Sequence, residues 1–149
     1  MIQAIAKVRG LPTALAACSY GAAVLTLTWL TQEGHLGDAM YGGMSMILMA
    51  FPLALLGGGG GVDAGWDYVL MAWPGIVMAL LLAFLTAWRR TRTAGRVLGW
   101  FLAGAVIVVG VATVSDGWGP RRPYGWPFLV YGLIMIIALI AGRRRRPLV

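Results

Sequence analysis

The sequence predicts an all-α fold, a polytopic bundle of transmembrane helices. Three observations predict it. Sixty per cent of the 149 residues are apolar and mean hydropathy is +0.80. Only 12 Lys+Arg and 5 Asp+Glu are present, against about 25% charged residues in a soluble domain. The apolar residues fall into stretches of membrane-spanning length, roughly 17–25 residues, joined by short polar connections. This composition excludes an ordinary soluble domain, and it excludes disorder, which needs low hydrophobicity. The whole chain, 1–149, reads as one membrane domain, because no connection is long enough for a soluble one.

Five spans are expected, in chain order. The first covers residues 11–31, flanked by Lys7 and Arg9 before and by Glu33 and Asp38 after. Ala14, Cys18 and Ala22, with Thr26 beyond, recur every four positions and mark one helix face. Cys18 is the sole cysteine. The motif Leu15-Ala16-Ala17-Cys18 matches a lipobox, but the preceding apolar run is short and the apolar stretch continues past the cysteine. Cys18 is therefore read as a small core residue. The second span covers 39–56 and contains Gly42, Gly43 and Pro52 before a run of five glycines, 57–61. It can span or re-enter; spanning is adopted. No Lys-Ser/Thr follows the glycines, so they form a turn and not a phosphate loop.

The third span covers 66–88. Trp66 and Tyr68 stand at one end and Trp88 with Arg89 and Arg90 at the other, as interface anchors do. Gly75, Ala79, Ala83 and Ala87 form a small-residue stripe that lets a helix approach closely. Pro74 removes a backbone donor and is a kink candidate. The fourth span, 97–114, opens on a second stripe, Gly95, Gly99 and Ala103. The fifth, 124–142, begins at Trp126 and Pro127 and stops at the four arginines 143–146.

Arg89, Arg90, Arg92 and Arg96 form one basic cluster and residues 143–146 the other. Two spans separate them, so both face one side. The positive-inside rule makes that side, and the C-terminus, cytoplasmic. With five spans, eight basic residues lie inside and four outside; with four, the division becomes ten against two. Charge favours four spans and hydrophobic length favours five. Five is adopted because leaving an apolar 18-mer out of the bilayer costs more than two misplaced charges.

No ionisable residue lies mid-span, which argues against a proton-coupled transporter or pump. His35, the only histidine, shares a loop with Glu33 and Asp38. Zinc sites need three or four suitable ligands, so a solvated polar loop is the better reading and no metal or cofactor is expected. Ser19, Ser45, Thr26 and Thr28 read as hydroxyls bonded to helix carbonyls. The most unusual stretch is 115–126. Its Trp118, Arg121, Arg122, Tyr124 and Trp126 are of the types that dominate binding hot spots and also of those that anchor helices at the interface. They are the candidate contacts to a partner or to lipid. Basic charge at span ends does not indicate nucleic acid.

The stretch 12–92 carries an apolar helix, then Met46-Ile47-Leu48-Met49-Ala50-Phe51-Pro52-Leu53, then Tyr68-Val69-Leu70-Met71 leading into an alanine-rich helix that ends in arginines. It resembles a family of small actinobacterial multi-pass membrane proteins. The resemblance implies a helical fold in a bacterial plasma membrane and assigns no activity; spans four and five lie beyond it. The expected function is that of a non-enzymatic accessory or scaffold protein, packing against a membrane-protein partner or a second copy. The alternatives are a small transporter or passive pore, and a lipid-active enzyme using His35, Asp63, Asp116 and Arg121.

Overall fold

The structure, a computed structural model, describes residues 11–37, 39–51, 53, 67–88 and 90–143. The glycine run, Asp38, Asp63, Trp66, Arg89 and the arginines after Arg143 lie outside the described residues, as do Lys7 and Arg9. Five α-helices follow in order: α1 (Leu11–Gln32), α2 (Ala39–Ala50), α3 (Asp67–Ala87), α4 (Arg92–Ser115) and α5 (Arg122–Arg143). A 3-10 turn, Gly119–Arg121, precedes α5. No strand occurs among the described residues. Three helices are long and apolar enough to cross a membrane: α1, α4, and α5 with its leading turn.

Every long helix is apolar on its outer face as well as its inner one. Leu80, Val97, Phe101, Val108 and Leu133 are all half exposed or more. Water would not tolerate such a surface on a monomer, whereas lipid is its natural solvent. The inner faces interlock. Tyr20, Leu27, Leu82, Leu102, Val106, Phe128 and Met135 are almost completely buried.

The long helices α1, α3, α4 and α5 run antiparallel to the ones they pack against most closely, and small residues set their spacing. A Cβ on Gly75 of α3 would stand 2.5 Å from Val24 Cγ1 of α1, and one on Gly21 would meet Ala79 at 3.9 Å. A Cβ on Gly95 would reach the Leu85 backbone at 2.8 Å, and one on Gly99 would reach Leu139 at 2.8 Å. Between α4 and α5, Gly110 faces Leu129, Gly125 faces Val114 and Gly132 faces Ile107. Both stripes read from the sequence thus hold the bundle to itself. Gly95, Gly99 and Ala103 are buried, Gly75 is buried, Ala79 and Ala83 are half-buried, and Ala87 alone is exposed.

Two expectations are corrected. Ala14 and Cys18 are exposed. The face of α1 that enters the core carries Ala16, Tyr20, Ala23, Val24, Leu27 and Leu30, because bulk fills the centre better than a smooth small-residue strip. The fourth helix starts at Arg92 and not at 97, since a helix continues through the polar interface where an apolar run has already ended. Of the second segment, the described α-helix is the twelve residues Ala39–Ala50, and positions 54–56 lie outside the described residues. Its helix stops two residues before Pro52, as the exclusion of pre-proline residues from the α region requires.

The position of α2 follows from its contacts. Gly42 sits against Thr31 near the C-terminus of α1. At the other end of α2, the Tyr20 hydroxyl donates to the Met49 carbonyl at 2.6 Å. Tyr20 lies near the middle of α1, so α2 enters from one end of the bundle and stops part-way. The start of α3 stands at that same end, because Gly75 pairs with Val24 and Ala79 with Gly21.

Candidate functional site

The chemistry-bearing side chains gather at the end of the bundle where α1 finishes and α2 begins. The geometry is set by the turn after α1. The His35 amide donates to Leu30 O at 3.0 Å and the Gly34 amide to Thr31 O at 3.2 Å. Gly34 has φ +69°. This is the glycine-capped helix end in which the orphan carbonyls of the last turn find donors. Gly37, at φ +71°, turns the chain again through its amide bond to Gly34 O at 2.8 Å.

That double turn presents His35 to Tyr124. The Tyr124 hydroxyl and His35 Nδ1 are 3.3 Å apart, and the two rings stack with centroids 5.1 Å apart. Trp29 closes the other side of the imidazole, also at 5.1 Å. His35 is thus held between aromatics and is not a free loop residue, which corrects the solvated-loop reading.

Arg121 is the hub of the cluster. Its Nη1 donates to Asp116 Oδ2 at 2.7 Å and its Nε donates to the Leu36 carbonyl. The guanidinium lies 4.4 Å from the Tyr41 ring centroid and 4.8 Å from that of Trp118. Tyr41 in turn meets Thr113, hydroxyl to hydroxyl, at 3.2 Å. One cation therefore links the α1–α2 turn, α2, the end of α4 and the start of α5. The Arg121 hydrogen bond holds the Asp116 carboxyl below its ordinary value, helped by the Trp118 and Gly117 amides and opposed by partial burial. Arg122 Nε donates to the Asp116 carbonyl at 3.2 Å.

Of the five residues expected to contact a partner or lipid, four belong to this lock: Trp118, Arg121, Arg122 and Tyr124. Trp126 is 60% exposed and takes no part in the contacts described. Sequence reasoning missed Trp29, Leu36 and Tyr41 as members. The spacing of Gly34 and Gly37 was the available signal, since two glycines after a helix announce a sharp turn. Thr28 does bond a helix carbonyl, Val24 O at 2.9 Å, but Thr26 turns toward the Tyr131 hydroxyl, 3.4 Å away. Among the described residues no three His, Cys, Asp or Glu side chains converge as metal ligands would.

The cluster can fix loops and hold a half-buried cation. It places an imidazole beside a phenol. Compared with known proteins, the chain matches no family model, no curated protein and no solved structure.

Proposed function

We propose that the chain is a non-enzymatic integral protein of the cell membrane that works as an accessory or scaffold subunit, packing its outer helix faces against a partner or a second copy. The carrying observation is that its polar chemistry is engaged inside the molecule. Arg121 pairs with Asp116 and His35 with Tyr124, and the bundle axis is filled by Tyr20, Leu82, Leu102 and Phe128. A filled axis supports packing over conduction. What faces outward is apolar, including a notch on α4 where a Cβ on Gly104 would meet nothing, beside Phe101 and Val108. Extraction in mild detergent followed by mass determination is expected to return a partner complex or a homo-oligomer. A lone monomer both in detergent and in nanodiscs overturns this reading.

In the same reading α1, α3, α4 and α5 cross the bilayer, α2 re-enters, and both termini are cytoplasmic. Twelve residues give about 18 Å of helix at 1.5 Å per residue, short of a hydrocarbon core of about 30 Å. Four crossings put ten basic residues on the cytoplasmic side and two outside, the better charge balance. Single cysteines at positions 3 and 148, in a Cys18→Ser background, are expected to label from the same side. Labelling from opposite sides restores five crossings.

A further inference from the structure

The opposite end of the bundle is built differently. Where α1 and α4 begin and α3 and α5 end, the four helices surround an open cavity of about 610 Å³. Its walls carry small or aliphatic side chains, Ala16, Ala83, Ala138 and Leu139, and its polar groups include Arg92 and Arg96. Three alanines on three helices leave the space that aromatic side chains fill at the other end.

We propose that this cavity binds the headgroup of an anionic phospholipid of the cytoplasmic leaflet. Charge is the first argument. The sequence holds no acidic residue before Glu33, between Asp67 and Asp116, or after Asp116. Glu33, Asp116 and the start of α3 at Asp67 all stand at the far end, so no described carboxylate reaches Arg92 or Arg96. Arg96 is half-buried, and its contact is a 3.4 Å hydrogen bond from Nη2 to the Gly142 carbonyl. A guanidinium partly withdrawn from water, as Arg96 is, gains from a counter-anion, and its planar fork matches a phosphate bidentately; Arg92 stands exposed beside it.

Place is the second argument. Trp88 and Trp100, both exposed, flank the rim one residue beyond Ala87 and one turn beyond Arg96. Tryptophan of this kind sits at headgroup depth, where the leaflet supplies phosphodiesters and attracts basic residues. The apolar wall suits the glycerol and first methylenes of a lipid better than a hydrated inorganic ion.

The test uses the full chain, delipidated in a neutral detergent and titrated with short-chain phosphatidylglycerol, phosphatidylcholine or inorganic phosphate, read by native mass spectrometry and thermal shift. One phosphatidylglycerol per chain is expected, with phosphatidylcholine at least about tenfold weaker, a difference of about 1.4 kcal/mol. Arg92→Gln with Arg96→Gln is expected to abolish that preference. Ala83→Leu, which fills the cavity and leaves the charge intact, is expected to weaken binding as well and covers the case of a misfolded double variant. Four outcomes overturn the proposal. Equal binding of both lipids removes the site. Equal competition by inorganic phosphate makes it a soluble-anion site. An equal loss on Arg144→Gln with Arg145→Gln reduces the effect to general surface charge. A tenfold gain on deleting residues 1–9 makes the chain's own N-terminus the occupant.

Discussion

Replacing Tyr20 with Phe removes one atom from the centre of the bundle and tests how α2 is held. Tyr20 is fully buried, and its hydroxyl donates to the Met49 carbonyl at 2.6 Å. Met49 is the penultimate residue of α2, so its carbonyl is one of the last four, which have no partner within the helix. In Tyr20→Phe that carbonyl loses its donor inside the bilayer. Side-chain hydrogen bonds in membrane bundles average about 0.6 kcal/mol and reach about 1.7. Leaving a buried acceptor unsatisfied costs about 1–3 kcal/mol. The Tyr20 bond is short, buried and without a water route, so a loss of about 1.5–2.5 kcal/mol is expected. Tyr131→Phe is the internal control, since its hydroxyl only approaches Thr26 at 3.4 Å in a part-buried place; its cost should stay below about 0.6 kcal/mol. Equilibrium unfolding in mixed micelles measures both. Equal losses for the two variants, or less than about 0.3 kcal/mol for Tyr20→Phe, would refute the reasoning.

Gly99→Leu should cost at least about 1–3 kcal/mol by overpacking, because a Cβ there would already stand 2.8 Å from Leu139 and 3.3 Å from Leu82; Gly104→Leu, facing open space, should be near neutral in the same unfolding assay. Gly34→Ala should cost about 1–2 kcal/mol from its left-handed backbone alone, and Gly37→Ala more, because its Cβ would collide with the Trp118 ring; tryptophan fluorescence should shift only for the second. The Asp116 carboxyl is lowered in the folded state, so its contribution is present above the unfolded carboxylate value and is lost as pH falls through the folded one. Melting temperature against pH should therefore fall at the acid end, and Asp116→Asn should flatten that acid limb and lower stability at neutral pH.

The four long helices were legible because each is a long apolar run bounded by charge or tryptophan, and bilayer thickness converts run length into helix length. The helix cores fell where expected: the third segment, read as 66–88, is the helix Asp67–Ala87. The small-residue stripes of α3 and α4 were legible for a related reason, since close approach demands small side chains wherever the neighbour comes from. What sequence could not supply was the neighbour. Gly75 faces Val24, 51 positions away, and Gly99 faces Leu139. On α1 the same periodic signal pointed to the wrong face, because a stripe of alanine and cysteine is as acceptable to lipid as to a helix. For the second segment hydropathy marks an apolar run but does not distinguish one that crosses from one that turns back; the described helix covers Ala39–Ala50. The distant half of the polar lock was invisible for a third reason: Arg121 joins Leu36 and Tyr41 to its sequence neighbours Asp116 and Trp118, and only folding brings the two stretches together.

The anchoring of α2 has a consequence for biogenesis. Its beginning is fastened by Tyr41 to Thr113, and the turn before it by Arg121 and Tyr124. All three partners emerge from the ribosome long after α2 itself. At a synthesis rate of about 5–20 residues per second, these fastenings form seconds after the contacts of α2 to Tyr20 and Thr31 of α1 become available. The locking of its first turn is therefore a late event in assembly, dependent on the hairpin of α4 and α5. A nascent chain arrested at residue 110 is expected to leave the turn at Leu36 and the start of α2 near Tyr41 open to proteolysis, and the completed chain to close it.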